Sequence, residues 1–529
     1  MELILYNGII HTMKDDEIVS ALAIDNGLIA ASGDDCEIFA LKTANTKLVD
    51  LQRKLVIPGF NDSHMHILAY GLNKRRLEVG GCKTIQEIIS KARAYIEKNQ
   101  KLKLIIGRGW NQDHLPGRLF PSKQDLDEIS REIPLILYRV CGHSAVINTK
   151  AMEAFNIDEN TMPPLGGSFN FDTGLVCEAA LDLFQLPELG HDEIKDILVE
   201  AIADMQKKGI TSAQSDDFGF AAHEEVIKAY SELAAQGDLG IRIYQQNLFY
   251  NIEDIRVFLA KQANFPQLTP FYKLGPIKLL SDGSLGARTA FLSCSYKDDS
   301  TNTGIACFTQ AELDEIVNYC QENSQAVAIH CIGDAALARA LNSIEKAVKS
   351  CKARGLHLRH GIVHCQISDL PLLNKLKDLN LLAYIQPIFL DYDIHIVEER
   401  VGQELAKTSY NFKTLLDLGV HVSLGTDCPV ESFDPLPNIY CAVTRKDLQG
   451  FPIEGFNASQ ALKVHEAVYC YTVGSAYCSQ EENFKGQLAK GFLADLAVLD
   501  RDIFTISAEE IKDARVVMTI VGGKIVYSV

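Results

Sequence analysis

The run KLVIPGFNDSHMHI, Lys54 to Ile67, closes an apolar, strand-like stretch with two histidines one residue apart. At the period of two that a strand imposes, His64 and His66 point to the same face. Taken alone they read equally well as two ordinary histidines near a turn. The rest of the chain decides between these readings, and the same residues decide the fold.

Beyond this run, short apolar segments alternate with helical ones, the pattern of βα units and a parallel sheet. The candidate strands are GFNDSHMHI, GITSAQSDD, IRIYQQN, GPIKLLSDG, AVAIHCIGD, GIVHCQ, LLAYIQP and HVSLGTDCP. They make up the set that a (β/α)8 TIM barrel needs. Helices are expected at TIQEIISKARAYIEKN, ELDEIVNYCQENS and AALARALNSIEKAVKSCKARG, where apolar residues recur at three- and four-residue intervals. KLIIGRGW and PLILYRV also read as strands. They fall in a connection of about residues 69–198 that is too long for a plain loop and reads as an inserted substructure. Both ends of the chain are strand-rich, with Asn7-Gly8, Asn26-Gly27 and Gly522-Gly523 as hairpin signals. The expected architecture is a distorted barrel over residues 58–475, with a small β-sandwich domain from residues 1–57 plus 476–529.

In such a barrel the functional residues belong at the C-terminal ends of the strands, where the βα loops build the site. His64 and His66 end the first strand. His330 closes QAVAIH, His364 closes GIVH, and Asp427 follows VSLGT. Imidazole and carboxylate converging on one rim suit a catalytic divalent ion, zinc being the commonest fit to histidine. Each residue also has a plain reading, as a hydrogen-bonded histidine or as a turn aspartate. Asp282 in SDGS is read as such a turn. The coincidence of five ligand-type residues at one structural position, in four separate strands, favours a metal site.

Lys278 lies inside GPIKLLSDG between apolar neighbours and faces the barrel if Ile277 and Leu279 face the helices. Burial lowers the pKa of a lysine and frees its amine as a nucleophile. Such an amine can capture carbon dioxide as a carbamate able to bridge two metals. The alternative is a lysine paired with a carboxylate.

Composition narrows the remaining classes. A chain of 529 residues needs more than one simple core, and 47% hydrophobic with 23% charged residues is globular. A net charge of -18 argues against a nucleic-acid or anionic membrane partner. No apolar run approaches the roughly 20 residues that span a bilayer. The N-terminal MELILYNGII lacks the basic region and cleavage site of a signal peptide. The 14 cysteines are scattered without CxxC spacing, and a cytoplasmic setting with reduced thiols is expected.

Taken in order, VIPGFNDSHMH, IKLLSDGSLGARTA, IHCIGDAA, RHGIVHCQ, LGTDCPV and GQLAKGFLADLAVLD resemble the amidohydrolase superfamily of metal-dependent hydrolases. They are most similar to the branch containing N-substituted formamide deformylases. The resemblance implies one or two divalent ions. His64, His66 and Asp427 would hold one, His330 and His364 the other, and a carboxylated Lys278 would bridge them. His360 shares a face with His364; the motif and the strand end favour His364. Relatives commonly carry an acidic residue just before that histidine, where this chain has Val363.

The implied reaction is hydrolysis of a non-peptide carbon–nitrogen bond in a small N-acyl, formamide or cyclic amide substrate, with Asp427 as proton shuttle. Trp110 in GRGWNQDHLPG and His143 in RVCGHSAVIN are candidate substrate contacts. Cys331, Cys365 and Cys428 are read as packing. A deaminase on the same barrel, or a regulatory metal-binding protein without catalysis, are the alternatives. The first commonly has a Glu soon after the fifth-strand histidine, which HCIGDAA lacks. The second tends to lose the aspartate that is present here. Such barrels commonly dimerise, and a homodimer is the alternative to a monomer.

Overall fold

The computed structural model describes residues 1–99, 102–140, 142, 144–164, 167–184, 188–262, 265, 269–351 and 356–529. The chain divides into two compact units, Met1–Ala69 with His191–Val529, and Tyr70–Gly190.

The first unit contains a sheet of eight parallel strands. They are β1 (Phe60–Met65), β2 (Ile210–Ser215), β3 (Arg242–Leu248), β4 (Tyr272–Leu280), β5 (Val327–Cys331), β6 (Gly361–His364), β7 (Leu382–Ile385) and β8 (His421–Leu424). Each pairs with its neighbour in chain order, and these are the eight runs expected from the sequence. Nearly every residue in them is buried, because barrel strands meet side chains inside and helices outside.

The seam between β8 and β1 is closed just past the strands. Asp427 N donates to the His64 carbonyl and His66 N to the Cys428 carbonyl, both at 2.7 Å. Below them the Asp62 carboxylate accepts from Thr426 N at 3.1 Å and Thr426 Oγ1 at 2.7 Å. This close approach requires glycine at 425, since a Cβ there would stand 2.6 Å from His64 N.

The expected barrel helices form at Gln310–Glu322 and Asp334–Cys351. Thr309 and Glu312 make a reciprocal capping box that starts the first of them slightly before the apolar period begins. Toward the lower end of the barrel, Lys273 of β4 donates to Glu481 at 2.7 Å. Lys485 bonds the same carboxylate and donates to Ser212 Oγ of β2 at 2.9 Å.

Two terminal sheets lie outside the barrel. One joins Leu3–Tyr6, Ala21–Asp25, Leu28–Gly33 and Lys47–Asp50. The other draws on both ends of the chain: Ile9–His11, Ile18–Val19, Leu55–Pro58, Leu496–Leu499, Val516–Val521 and Lys524–Ser528. Leu5, Leu22 and Ile24 of the first sheet pack with Ile10, Val56, Leu496 and Ile520 of the second. Asn26-Gly27 and Gly522-Gly523 are hairpin turns, with φ of 50° and 75° in the first and 54° and 76° in the second.

Asn7-Gly8 is not a hairpin. The strand before it pairs with Ala21–Asp25 and Lys47–Asp50, whereas the strand after it pairs with Ile18–Val19 and Leu55–Pro58. Leu5 and Ile10 enter the same core from opposite sheets, so the left-handed Asn7 turns a corner between layers.

The unit Tyr70–Gly190 has its own six-stranded sheet, in which Ile105–Trp110 and Leu135–Arg139 are adjacent parallel strands. Helix Ile85–Lys98, capped by the Thr84 side chain, buries Ile88, Ile89 and Ala92 in its core. Helix His191–Gln206 belongs to the first unit.

Candidate metal centre

The barrel brings the strand-end residues together in part. One ligand atom each from His64, His364 and Asp427 lie within 4.8 Å of one another, all buried. Asp427 Oδ1 is 3.3 Å from His64 Nε2 and 3.0 Å from His66 Nε2. The His330 ring is 4.4 Å from that of His364, centroid to centroid, but its Nε2 is turned to the Gly283 carbonyl at 3.1 Å. Lys278 is fully buried, 3.8 Å from Asp216 Oδ2.

The outer nitrogens of three histidines are held by oxygen acceptors. His64 Nδ1 donates to Gln246 Oε1 at 2.7 Å, His66 Nδ1 to the Asp216 carbonyl at 2.6 Å, and His364 Nδ1 to Gln386 Oε1 at 2.8 Å. Each glutamine is itself oriented, its Nε2 donating at 3.1 Å to the Ser63 and Tyr384 carbonyls respectively. With Nδ1 protonated, Nε2 of a neutral ring presents its lone pair to the centre.

Burial, with Lys278 adding repulsion, holds His64 at about 4 and His330 at about 3. Burial and His330 hold His364 well below the ordinary range. His66 differs: burial opposes its charge, but Asp427 outweighs burial and lifts it to about 9. Burial likewise opposes the charge on Asp427, yet His64 and His66 hold its carboxyl well below the usual range.

Neutral imidazole lone pairs facing an ionised carboxylate repel unless a cation stands among them. That donor set is the one a divalent ion takes up, replacing the proton otherwise held on His66. Asp216 adds to the fit: both carboxylate oxygens are buried without a hydrogen-bond partner, beside the amine of Lys278. The backbone is correspondingly constrained. His364, Cys365 and Asp427 adopt φ of 75°, 49° and 57°, a left-handed conformation that costs non-glycine residues on the order of 1–3 kcal/mol.

Asp282 is more than a turn residue. Its buried carboxylate accepts from Ile332 N at 3.1 Å, Gly333 N at 2.8 Å and Phe291 N at 3.0 Å. It thereby fixes the chain that leaves β5 after Cys331, next to His330, whose Nε2 is 3.3 Å away. His360 is a packing histidine near the start of β6. Its Nδ1 accepts from Val327 N at 3.1 Å and its Nε2 donates to Gln321 Oε1 at 2.7 Å. Val363 is buried with Ala328, Leu382 and Tyr384. Cys331, Cys365 and Cys428 are buried thiols.

Trp110 is buried in the core of the Tyr70–Gly190 unit, where Nε1 donates to the Leu137 carbonyl at 2.8 Å and the ring packs edge-on to Phe120. This is the setting of a packing anchor. His143 lies outside the described residues.

Asp216, Asp282 and Gln386 stand just past barrel strand ends and Gln246 two residues before one, where polar residues other than histidine can serve the site as much as ligands do.

Comparison with known proteins agrees with this geometry. The Amidohydrolase family profile matches residues 47–527. YtcJ of Bacillus subtilis (strain 168) is 31% identical over 100% of this chain and 99% of its own length. The N-substituted formamide deformylase of Arthrobacter pascens is 23% identical over 99% of this chain and 98% of its own. Among solved structures, an uncharacterized metal-dependent hydrolase from Pyrococcus horikoshii OT3 superposes with a TM-score of 0.80 at 29% identity, covering 96% of this chain and 99% of that one. With its eight-stranded barrel and a buried His64, His364 and Asp427 cluster, this chain belongs to the amidohydrolase family and is a metal-dependent hydrolase.

Proposed function

We propose that the protein hydrolyses a non-peptide carbon–nitrogen bond in a small N-acyl, formamide or cyclic amide substrate. His64, His66 and Asp427 would hold one divalent ion and His330 and His364 a second, with Lys278 adding an anionic ligand once carboxylated. Zinc is the ion that best suits this imidazole-rich set. Bound there, such an ion supplies Lewis acidity toward a carbonyl and makes hydroxide available near neutral pH.

The chain's own residues do the rest. Gln246, Gln386 and the Asp216 carbonyl orient the histidine rings so that each lone pair faces inward. Asp427 accepts the proton of the attacking water and passes it to the leaving nitrogen. Its place at the β8 end, with Oδ1 turned to two of the histidines, lets one carboxylate serve metal and proton together. The hydrolysis of an N-substituted formamide, named in the relative from Arthrobacter pascens, is one member of the proposed substrate class.

The observation that carries the reading is the convergence of neutral histidine nitrogens on an ionised Asp427. The test is elemental analysis of protein loaded with zinc, followed by a hydrolysis screen of N-formyl, N-acyl and cyclic amides. One to two zinc ions per chain and turnover of one of these classes are expected. A protein that takes up no zinc overturns the reading.

A further inference from the structure

Above β3 the chain carries a tyrosine that the reaction has so far left unused. β3 ends at Leu248, and the next residue, Phe249, donates its N–H to the Lys278 carbonyl at 3.1 Å. The Phe249 ring is buried against Phe218, His223 and Phe258, with centroids at 6.0, 5.8 and 4.9 Å. This anchor fixes the main chain from which Tyr250 projects.

Tyr250 is 61% exposed, and its hydroxyl has no hydrogen-bond partner among the described residues. That hydroxyl stands 3.8 Å from where a Cβ at Gly219 would lie, on the loop that follows Asp216 and Asp217 out of β2. Crowding raises its pKa, and the negative charge of Asp216 raises it further. Phe220, the residue after Gly219, is 41% exposed and sets its ring at 74° to that of His66, 5.7 Å between centroids.

An exposed tyrosine on a rim is ordinary by itself. Tyr250 differs in three respects. The residue before it, Phe249, is bonded to the strand that carries Lys278, its phenol is unpartnered among the described residues, and Gly219 links the segment carrying Asp216 to Phe220. No side chain at 219 fills the space in front of the hydroxyl.

We propose that Tyr250 contacts the substrate, its phenol donating a hydrogen bond to the amide oxygen while its ring and Phe220 form an apolar wall beside His66. This rests on the amide-hydrolase reading given above. A donor at this place bonds more strongly as negative charge grows on the oxygen, and so assists the reaction beyond binding. The wall favours a substrate with a flat apolar substituent next to the reacting amide.

The test uses the full-length zinc-loaded protein and two probes of the tetrahedral, anionic state, methylphosphonate and phenylphosphonate, with Kd measured by calorimetry. Phenylphosphonate is expected to bind about tenfold more tightly than methylphosphonate, the worth of one aromatic contact. Tyr250→Phe is expected to weaken both by about tenfold, the worth of one hydrogen bond to a charged group, with zinc content unchanged. Phe220→Ala is expected to shrink the preference for phenylphosphonate. Failure to take up zinc would remove the metal centre and this proposal together. Zinc uptake with both Kd values changed by less than about twofold in Tyr250→Phe, or with neither phosphonate bound, overturns this proposal alone.

Discussion

Asp427 and His66 meet across the seam of the barrel, Oδ1 to Nε2 at 3.0 Å, each held by a backbone bond to the other's strand end. The carboxylate is thus placed by the closure of the sheet itself. Replacing Asp427 by Asn keeps an oxygen for the metal but removes the base. The expected result is a fall in kcat of at least about a hundredfold with zinc content retained, because general acid–base groups typically contribute 10²–10⁴. Parallel elemental analysis and steady-state kinetics check it; undiminished kcat would remove Asp427 from proton transfer.

Lys278 and Asp216 form the second decisive pair. Both are buried, and at 3.8 Å they are too far apart for a good hydrogen bond. Burial lowers the pKa of the amine, against the pull of Asp216, which favours the neutral form that reacts with carbon dioxide. Lys278→Ala is expected to reduce zinc from two ions per chain to one or fewer, and added short-chain carboxylate is expected to restore part of the loss. Unchanged stoichiometry would point to a centre that does not use the lysine.

Asp282 bears on stability and on the site at once. Its carboxylate accepts three backbone N–H groups from two loops, and Asp282→Ala leaves all three buried and unmet. A loss of about 3–5 kcal/mol is expected, at roughly 1–3 kcal/mol per orphaned donor after partial relaxation. Denaturant unfolding measures it, and zinc affinity should fall with it, since the chain after His330 is what the carboxylate holds.

Much of this was legible in the sequence because barrel strands are buried on both sides and end abruptly in polar residues. The eight apolar runs and their terminal His64, His330, His364 and Asp427 stand out on that contrast alone. The glutamines do not. Gln246 matters because its amide meets His64, 182 residues away in the chain, and no local pattern marks an amide for that purpose. Asp282 was hidden by a turn-like SDGS, and two of the three N–H groups its carboxylate meets lie on the separate loop after β5. Asn7-Gly8 has the residues of a hairpin, yet the burial of Leu5 and Ile10 from opposite layers overrides the local preference. Local chemistry proposes a turn, and the core decides what it connects.

Glu481 offers a test of the lower barrel that is independent of the metal. Burial disfavours its charge, but Lys485 and Lys273 outweigh burial and hold it at about 2, below its ordinary value of 4.5. A depressed folded pKa means the carboxylate contributes stability in full above the unfolded value. That contribution is lost as pH falls from about 4.5 to about 2. At about 1.4 kcal/mol per pH unit the contribution is roughly 3 kcal/mol. Glu481→Gln is expected to lower stability at pH 7 by a similar amount, since it also leaves Lys485 buried without its charge partner. The variant should lose less stability between pH 4.5 and 2 than the parent in matched denaturant titrations. Parallel pH profiles for the two proteins would show that the Glu481 network does not govern acid unfolding.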